Sequence, residues 1–173
     1  MPVQRRAYPR ISPLGDFSSP GGRPQVKILI AVVGDSKPSG QTERLAEQVG
    51  RCLAERGAAL VCGGLGGVME AAGRGAKAAG GLTVGILPGY EPGDANPYID
   101  IKICTGMGHA RNAIIAASAG ALIALEGSHG TLSEIALGLK LGRRVIALGR
   151  GESPEGVLTA ASPEEAVRMA TDG

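Results

Sequence analysis

Short apolar runs alternate with amphipathic stretches along most of the chain. Residues 26–33 are apolar at nearly every position, the texture of a strand buried on both faces. A loop over 34–40 follows, then a helix over about 41–56 that turns Leu45, Val49, Cys52 and Leu53 to one side and stops at Gly57. The unit then repeats. A strand over 59–62 leads through a glycine-rich turn (63–67) to a helix over 68–79, and strands over 82–87 and 98–104 flank a loop. A turn over 105–108 opens a helix over 109–119, and a strand over 121–125 opens another that runs to 141. Strands over 145–148 and 157–159 and a last helix, begun by Ser162-Pro163-Glu164-Glu165, complete the series.

Strands alternating with helices in this way predict an α/β fold. The expected form is a doubly wound, mostly parallel, Rossmann-like sheet of six to seven strands with helices on both faces. Such sheets bind ligands outside the carboxyl ends of their strands, near the switch in strand order. The loops richest in Gly, Ser, Thr and His all follow strands, so they share that edge.

Residues 1–24 break the pattern. They are rich in Pro, Gly, Ser and Arg without periodicity, and read as a mobile arm or an extension packed on a partner subunit. Residues 25–173 form one expected domain, a length that suits a single core. The formal charge of +2 also belongs to the arm, where four arginines face Asp16, and it is too small to imply nucleic acid or an acidic membrane. Aromatic residues make up 2% of the chain, with no Trp, which leaves few rings for stacking the bases of a single strand. Cys52, Cys62 and Cys104 are too few and too scattered for a zinc site or a disulfide framework, so no metal and no resident cofactor are expected. No apolar stretch is long enough to span a bilayer, and no apolar block follows the early arginines as a secretory signal requires. The cytoplasm is the expected location.

Four post-strand segments carry candidate chemistry. Gly127-Ser128-His129-Gly130-Thr131-Leu132-Ser133-Glu134 is a small-residue turn feeding a helix, where free backbone N–H groups and the helix dipole favour an anion. Thr131 to Glu134 also satisfies the capping-box pattern, which accounts for those two residues but not for Gly127, Ser128 and Gly130. The run Gly63, Gly64, Gly66, Gly67 with Met69 admits close backbone approach to a ligand, or equally tight strand–helix packing. Gly34-Asp35-Ser36 fits neither a Walker A loop nor a dinucleotide fingerprint; a phosphate seat and an ordinary turn are both open to it. In Thr105-Gly106-Met107-Gly108-His109-Ala110-Arg111-Asn112, Arg111 falls in the first turn of its helix, where the dipole disfavours a cation, which points to an anionic partner or a surface ion pair.

Together these residues resemble a family. Gly63-Gly64-x-x-Gly67-x-Met69 with Gly127-x-x-Gly130-Thr131-x-x-Glu134 is similar to the paired signature of the Lonely Guy proteins, often labelled lysine decarboxylase-like, a fold shared by molybdenum cofactor carrier proteins. Gly85-Ile86-Leu87-Pro88-Gly89 and the segment from Thr105 to Asn112 resemble a branch near the carriers more closely still. The Lonely Guy enzymes are phosphoribohydrolases that cleave the N-glycosidic bond of cytokinin nucleoside 5′-monophosphates, and their catalytic arginine and glutamate align with Arg111 and Glu134. No lysine decarboxylase activity follows. Cys62, Glu126, Ser128 and Asn112 stand where those hydrolases have Gly, Pro, Gly and Lys.

The resemblance implies that Arg111 and Glu134 are catalytic and that Gly34, Ser36, Gly63, Gly64, Gly67, Met69, Gly108, Asn112, Gly127, Ser128, His129, Gly130 and Thr131 hold a phosphorylated small molecule. Glu134, near a helix N-terminus, is expected to be ionised and to stabilise an oxocarbenium-like centre while it positions water. Two further readings use the same seats: a carrier of a phosphorylated pterin, and a nucleotide-sensing module. Dimerisation or a larger homo-oligomer follows from the resemblance, with the Ala-rich helix over 109–119 suited to pack on its twin.

Overall fold

The computed structural model describes residues 28–149, 151 and 153–172. The arm expected over 1–24, and the first two residues of the strand expected over 26–33, lie outside the described residues.

Seven parallel strands form one sheet, in the order β4-β3-β2-β1-β5-β6-β7. They are β1 (Leu29–Val33), β2 (Ala59–Cys62), β3 (Thr83–Leu87), β4 (Ile101–Cys104), β5 (Ala121–Ala124), β6 (Arg144–Leu148) and β7 (Leu158–Ala160). The helices are α1 (Gly40–Glu55), α2 (Val68–Ala78), α3 (Asn112–Ser118), α4 (His129–Lys140) and α5 (Pro163–Thr171). Ala31 pairs with Val61 on one side and Leu122 on the other, so the chain winds outward from β1 to β4 and then returns to β1's other edge. That return is the switch point. The loops after β1 and β5 part there and are tied by one bond, from the Asp35 N–H to the Glu126 carbonyl (3.0 Å).

Alternation along the strands divides the core in two. Ile30, Val32, Leu60 and Ile123 pack with buried residues of α1, α2 and α5, while Ala31, Val33, Val61 and Leu122 pack with those of α3 and α4. The small residues allow unusually close helix packing: a methyl group added at Gly50 or Gly75 would overlap the facing backbone, Ala72 O or Glu47 O respectively. Helix starts follow local chemistry. Ser39 and Ser162 cap α1 and α5, accepting from Thr42 N and Glu165 N, and Pro163 occupies the first turn of α5. None of the helices among the described residues is long and apolar enough to cross a membrane.

Three of the boundaries differ by more than one residue from those the periodicity predicts. Strand β4 starts at Ile101 rather than 98, because side chains take the preceding backbone groups. The Asn96 carboxamide accepts from Tyr98 N, the Thr83 hydroxyl donates to Tyr98 O, and the Asp100 carboxylate accepts from Thr83 N. The helix expected over 109–119 splits into a 3-10 turn (Gly108–Arg111) and α3. Helix α4 begins at His129, with Ser128 at its cap position and no side chain capping it. The capping box expected at Thr131 therefore does not form, and Thr131 lies within the first turn of the helix.

Candidate functional site

A cavity of about 260 Å³ opens at the carboxyl ends of β1, β2 and β5, beside the switch point. The loop after β1 contributes Gly34, Asp35 and Ser36; the segment after β2 contributes Gly63, Leu65 and Met69. His109, Arg111 and Asn112 enter from the turn before α3, and Ser128, Gly130, Thr131 and Glu134 from the start of α4.

Helix α4 aims its N-terminus at this space. Its first-turn N–H groups have no intrahelical acceptor by geometry, and no side chain caps them, so they present positive potential to whatever enters. Thr131 is buried, and its hydroxyl lies where a side chain at position 127 would be, so Gly127 leaves room for it. Glu134 sits one turn further along on the same face.

Arg111 faces it across the cavity. Arg111 is 8% exposed, and its guanidinium is held on three sides: Nη1 donates to Asn112 Oδ1, Nη2 donates to Gly63 O (3.4 Å), and Nη1 stands 3.7 Å from Glu134 Oε1. A Cβ at Gly63 would overlap the guanidinium and Met69 Sδ, so a side chain there would displace Arg111 from its place. The third guanidinium nitrogen, Nε, is buried without a hydrogen-bond partner. An unpaired guanidinium N–H inside a protein is costly, so a partner from outside the chain would relieve it.

Burial acts on both charges. It lowers the Arg111 pKa and pushes the Glu134 carboxyl up to about 7, against the opposing pull of Arg111. Desolvation at 6% exposure thus works against the ionised form expected for Glu134 from its place near a helix N-terminus. Close to neutral pH this carboxyl exchanges its proton. Cys62 lies beneath the site at 0% exposure, with its thiol pushed up to about 11 by burial, so it is a packing residue in the neutral form.

Asn112 links the two halves of the site. Besides accepting from Arg111, its amide donates to Ser133 Oγ (3.0 Å) and to Gly130 O (3.4 Å), and Ser133 Oγ donates to Gly130 O (2.7 Å). Its polar atoms are thus committed to fixing the guanidinium and the first turn of α4. Replacing Asn112 with leucine is expected to lower the unfolding free energy by about 1–3 kcal/mol by leaving buried donors unpaired, a change that a urea titration would measure.

Of the candidates named from the sequence, Gly34, Ser36, Gly63, Met69, Arg111, Asn112, Ser128, Gly130, Thr131 and Glu134 line the one cavity. The others are placed elsewhere. Gly64 packs on Gly85 and Leu87, and Gly67 packs on the Asp35–Ser36 backbone with φ +69, where any side chain is strained. Gly108 donates its N–H to Pro88 O (3.0 Å), Gly127 lines a neighbouring cavity, and His129 is exposed at the start of α4. His109, Asp35 and Leu65 line the cavity although sequence reasoning gave them no role. Position after a strand was the signal available, and it did not separate His109 from His129.

The sequence and structure have counterparts. A protein from Archaeoglobus fulgidus, described as uncharacterized, is 49% identical over 140 residues, covering 81% of this chain and 92% of its own. The molybdenum cofactor binding protein from the phototrophic bacterium Rippkaea orientalis superimposes with a TM-score of 0.80 at 37% identity, covering 86% of this chain and 98% of its own. The molybdenum cofactor carrier protein of Chlamydomonas reinhardtii superimposes with a TM-score of 0.78 at 34% identity, covering 84% and 97%. The sequence pattern of one family matches residues 27–172, nearly the whole chain; the protein belongs to the SLOG cluster4 family.

Proposed function

We propose that the protein binds a small phosphorylated ligand, holding its phosphate between the N-terminus of α4 and Arg111, and that it serves as a carrier of a phosphorylated pterin such as molybdenum cofactor. The buried, unpartnered Nε of Arg111 beside an uncapped helix N-terminus is the observation that carries the reading: both are donors without an acceptor among the described residues, and a phosphate supplies acceptors to both. The likeness to two molybdenum cofactor proteins over most of their lengths supports the choice of cargo. Self-association into a homodimer or larger homo-oligomer is part of the proposal, supported by the exposed small residues Ala113, Ala117 and Ser118 of α3.

A second reading, N-glycosidic hydrolysis of a nucleoside 5′-monophosphate, draws on Glu134. A carboxyl that titrates near 7 can give a proton to a leaving base or take one from water. In that reaction the bond from ribose C1′ to the base nitrogen breaks with its electron pair on the base. The oxygen of water bonds to C1′, one of its protons ends on the base directly or through Glu134, and the products are free base and ribose 5-phosphate.

Calorimetry with molybdopterin and with AMP, followed by assay for free base, separates the readings. Tight molybdopterin binding without base release supports the carrier; release from AMP supports the hydrolase; binding of neither overturns the phosphate site. Glu134→Gln is expected to abolish any turnover while keeping affinity. Relative to Glu134→Gln, the native protein should gain phosphate affinity as pH falls from about 8 to about 6.5, because a carboxylate above its pKa competes for Arg111 and a protonated one does not, while the ligand's own titration is common to both proteins. The glutamine variant, which cannot ionise at this position, should show only the latter.

A further inference from the structure

Two long helices, α1 and α4, point their N-termini at the switch point, so the fold offers two anion seats. The seats differ. That of α4 is uncapped, whereas at α1 Ser39 caps the helix and a carboxylate of the chain stands beside its first turn. Glu126, in the loop after β5, accepts at Oε2 from the Thr42 hydroxyl (2.9 Å), and Ser39 Oγ accepts from Thr42 N (3.2 Å). These groups border a second cavity of about 220 Å³ that shares Asp35 and Ser128 with the first. A ligand whose phosphate sits at α4 has this space as its neighbour. Asp35 and Glu126 bring two carboxylates to it against the single ammonium of Lys37.

Resting on the phosphate reading above, we infer that Glu126 is a specificity-determining residue that restricts the ligand to one phosphate group. A second phosphate reaching from α4 toward α1 would meet the Glu126 carboxylate already bonded to Thr42. It would have to displace that carboxylate or lie beside it, and like-charge contact at a binding surface is a strong means of rejecting a wrong partner. Glu126 is exposed, so the discrimination operates through a partly screened field and should weaken as salt rises.

The test compares AMP with ADP, and inorganic phosphate with pyrophosphate, by calorimetry on the native protein and on Glu126→Gln. Glutamine keeps the acceptor for Thr42 and removes the charge. The native protein is expected to bind AMP about tenfold or more tighter than ADP at low salt, and the glutamine variant to bind the two about equally without weaker AMP binding. Phosphate and pyrophosphate should follow the same order. Equal affinity of the native protein for the mono- and diphosphates, or selectivity that survives in Glu126→Gln, overturns the inference and leaves the phosphate site standing. Failure of all four probes to bind overturns the inference, and failure of molybdopterin to bind as well overturns the phosphate site with it.

Discussion

Arg111→Ala is expected to weaken AMP or molybdopterin binding on the order of 100-fold, the cost of removing one partner from a desolvated, charge-assisted contact. The loss should come from the missing contact rather than from collapse of the site. With Arg111 gone, the charge that pulls the Glu134 pKa down disappears, so its carboxyl shifts upward from about 7 and favours the neutral form at neutral pH. No unpaired buried charge is left behind. Arg111→Met, which keeps much of the side-chain volume, should show the same loss with less effect on unfolding. Arg111→Lys should recover only part of it, since a single ammonium cannot reach Gly63 O, Asn112 Oδ1 and an incoming phosphate at once. Calorimetry on the three variants, with urea unfolding alongside, reads both quantities. Unchanged affinity in Arg111→Ala would place the phosphate elsewhere.

The order of strands and helices was legible because buried parallel strands read as continuous apolar runs and because small-residue turns punctuate them. The place of the candidate cavity followed from the same pattern, since the glycine-rich loops had to share the carboxyl edge. What was not legible depends on contacts between distant segments. Glu134 was expected to be ionised because its helix position is visible in the sequence, whereas its burial against the segment around Arg111 is not. The Thr131 capping box satisfied a local rule and still failed, because α4 starts at His129 and its first turn is tied by Ser133 and Asn112. Asn112 stood out as a ligand contact by its place beside Arg111. Its bonds to α4 show a residue that positions the arginine, a role that requires knowing that the turn before α3 meets the start of α4.

The crossing of α1 and α2 was equally hidden, and it leads to the largest expected change in stability. Gly75→Ala is expected to destabilise the protein by roughly 3 kcal/mol, at the upper end for overpacking, because the methyl meets backbone rather than a yielding side chain. Helix propensity argues the other way, since alanine for glycine in a helix interior ordinarily gains about 0.5–1 kcal/mol. The clash decides the sign, as the overlapped atom is the carbonyl oxygen of Glu47 in the opposite helix and cannot rotate aside. Gly50→Ala should behave alike through Ala72 O. For a chain of this size the loss corresponds to a fall of about 6–12 °C in Tm. Gly40→Ala is the control: at the first residue of α1 the nearest atom to a new methyl is Arg44 Nη1 at 3.7 Å, so stability should hold or rise slightly. The consequence extends to the site. Gly67 packs on the Asp35–Ser36 backbone, and Val68 N donates to Asp35 O (3.0 Å), which joins the start of α2 to the loop that leads into α1. Separating the helices shifts Met69 and Gly63 relative to Ser36, so folded Gly75→Ala protein should also bind AMP or molybdopterin more weakly. Full affinity in the folded variant would show that the loops after β1 and β2 keep their spacing without the close helix crossing.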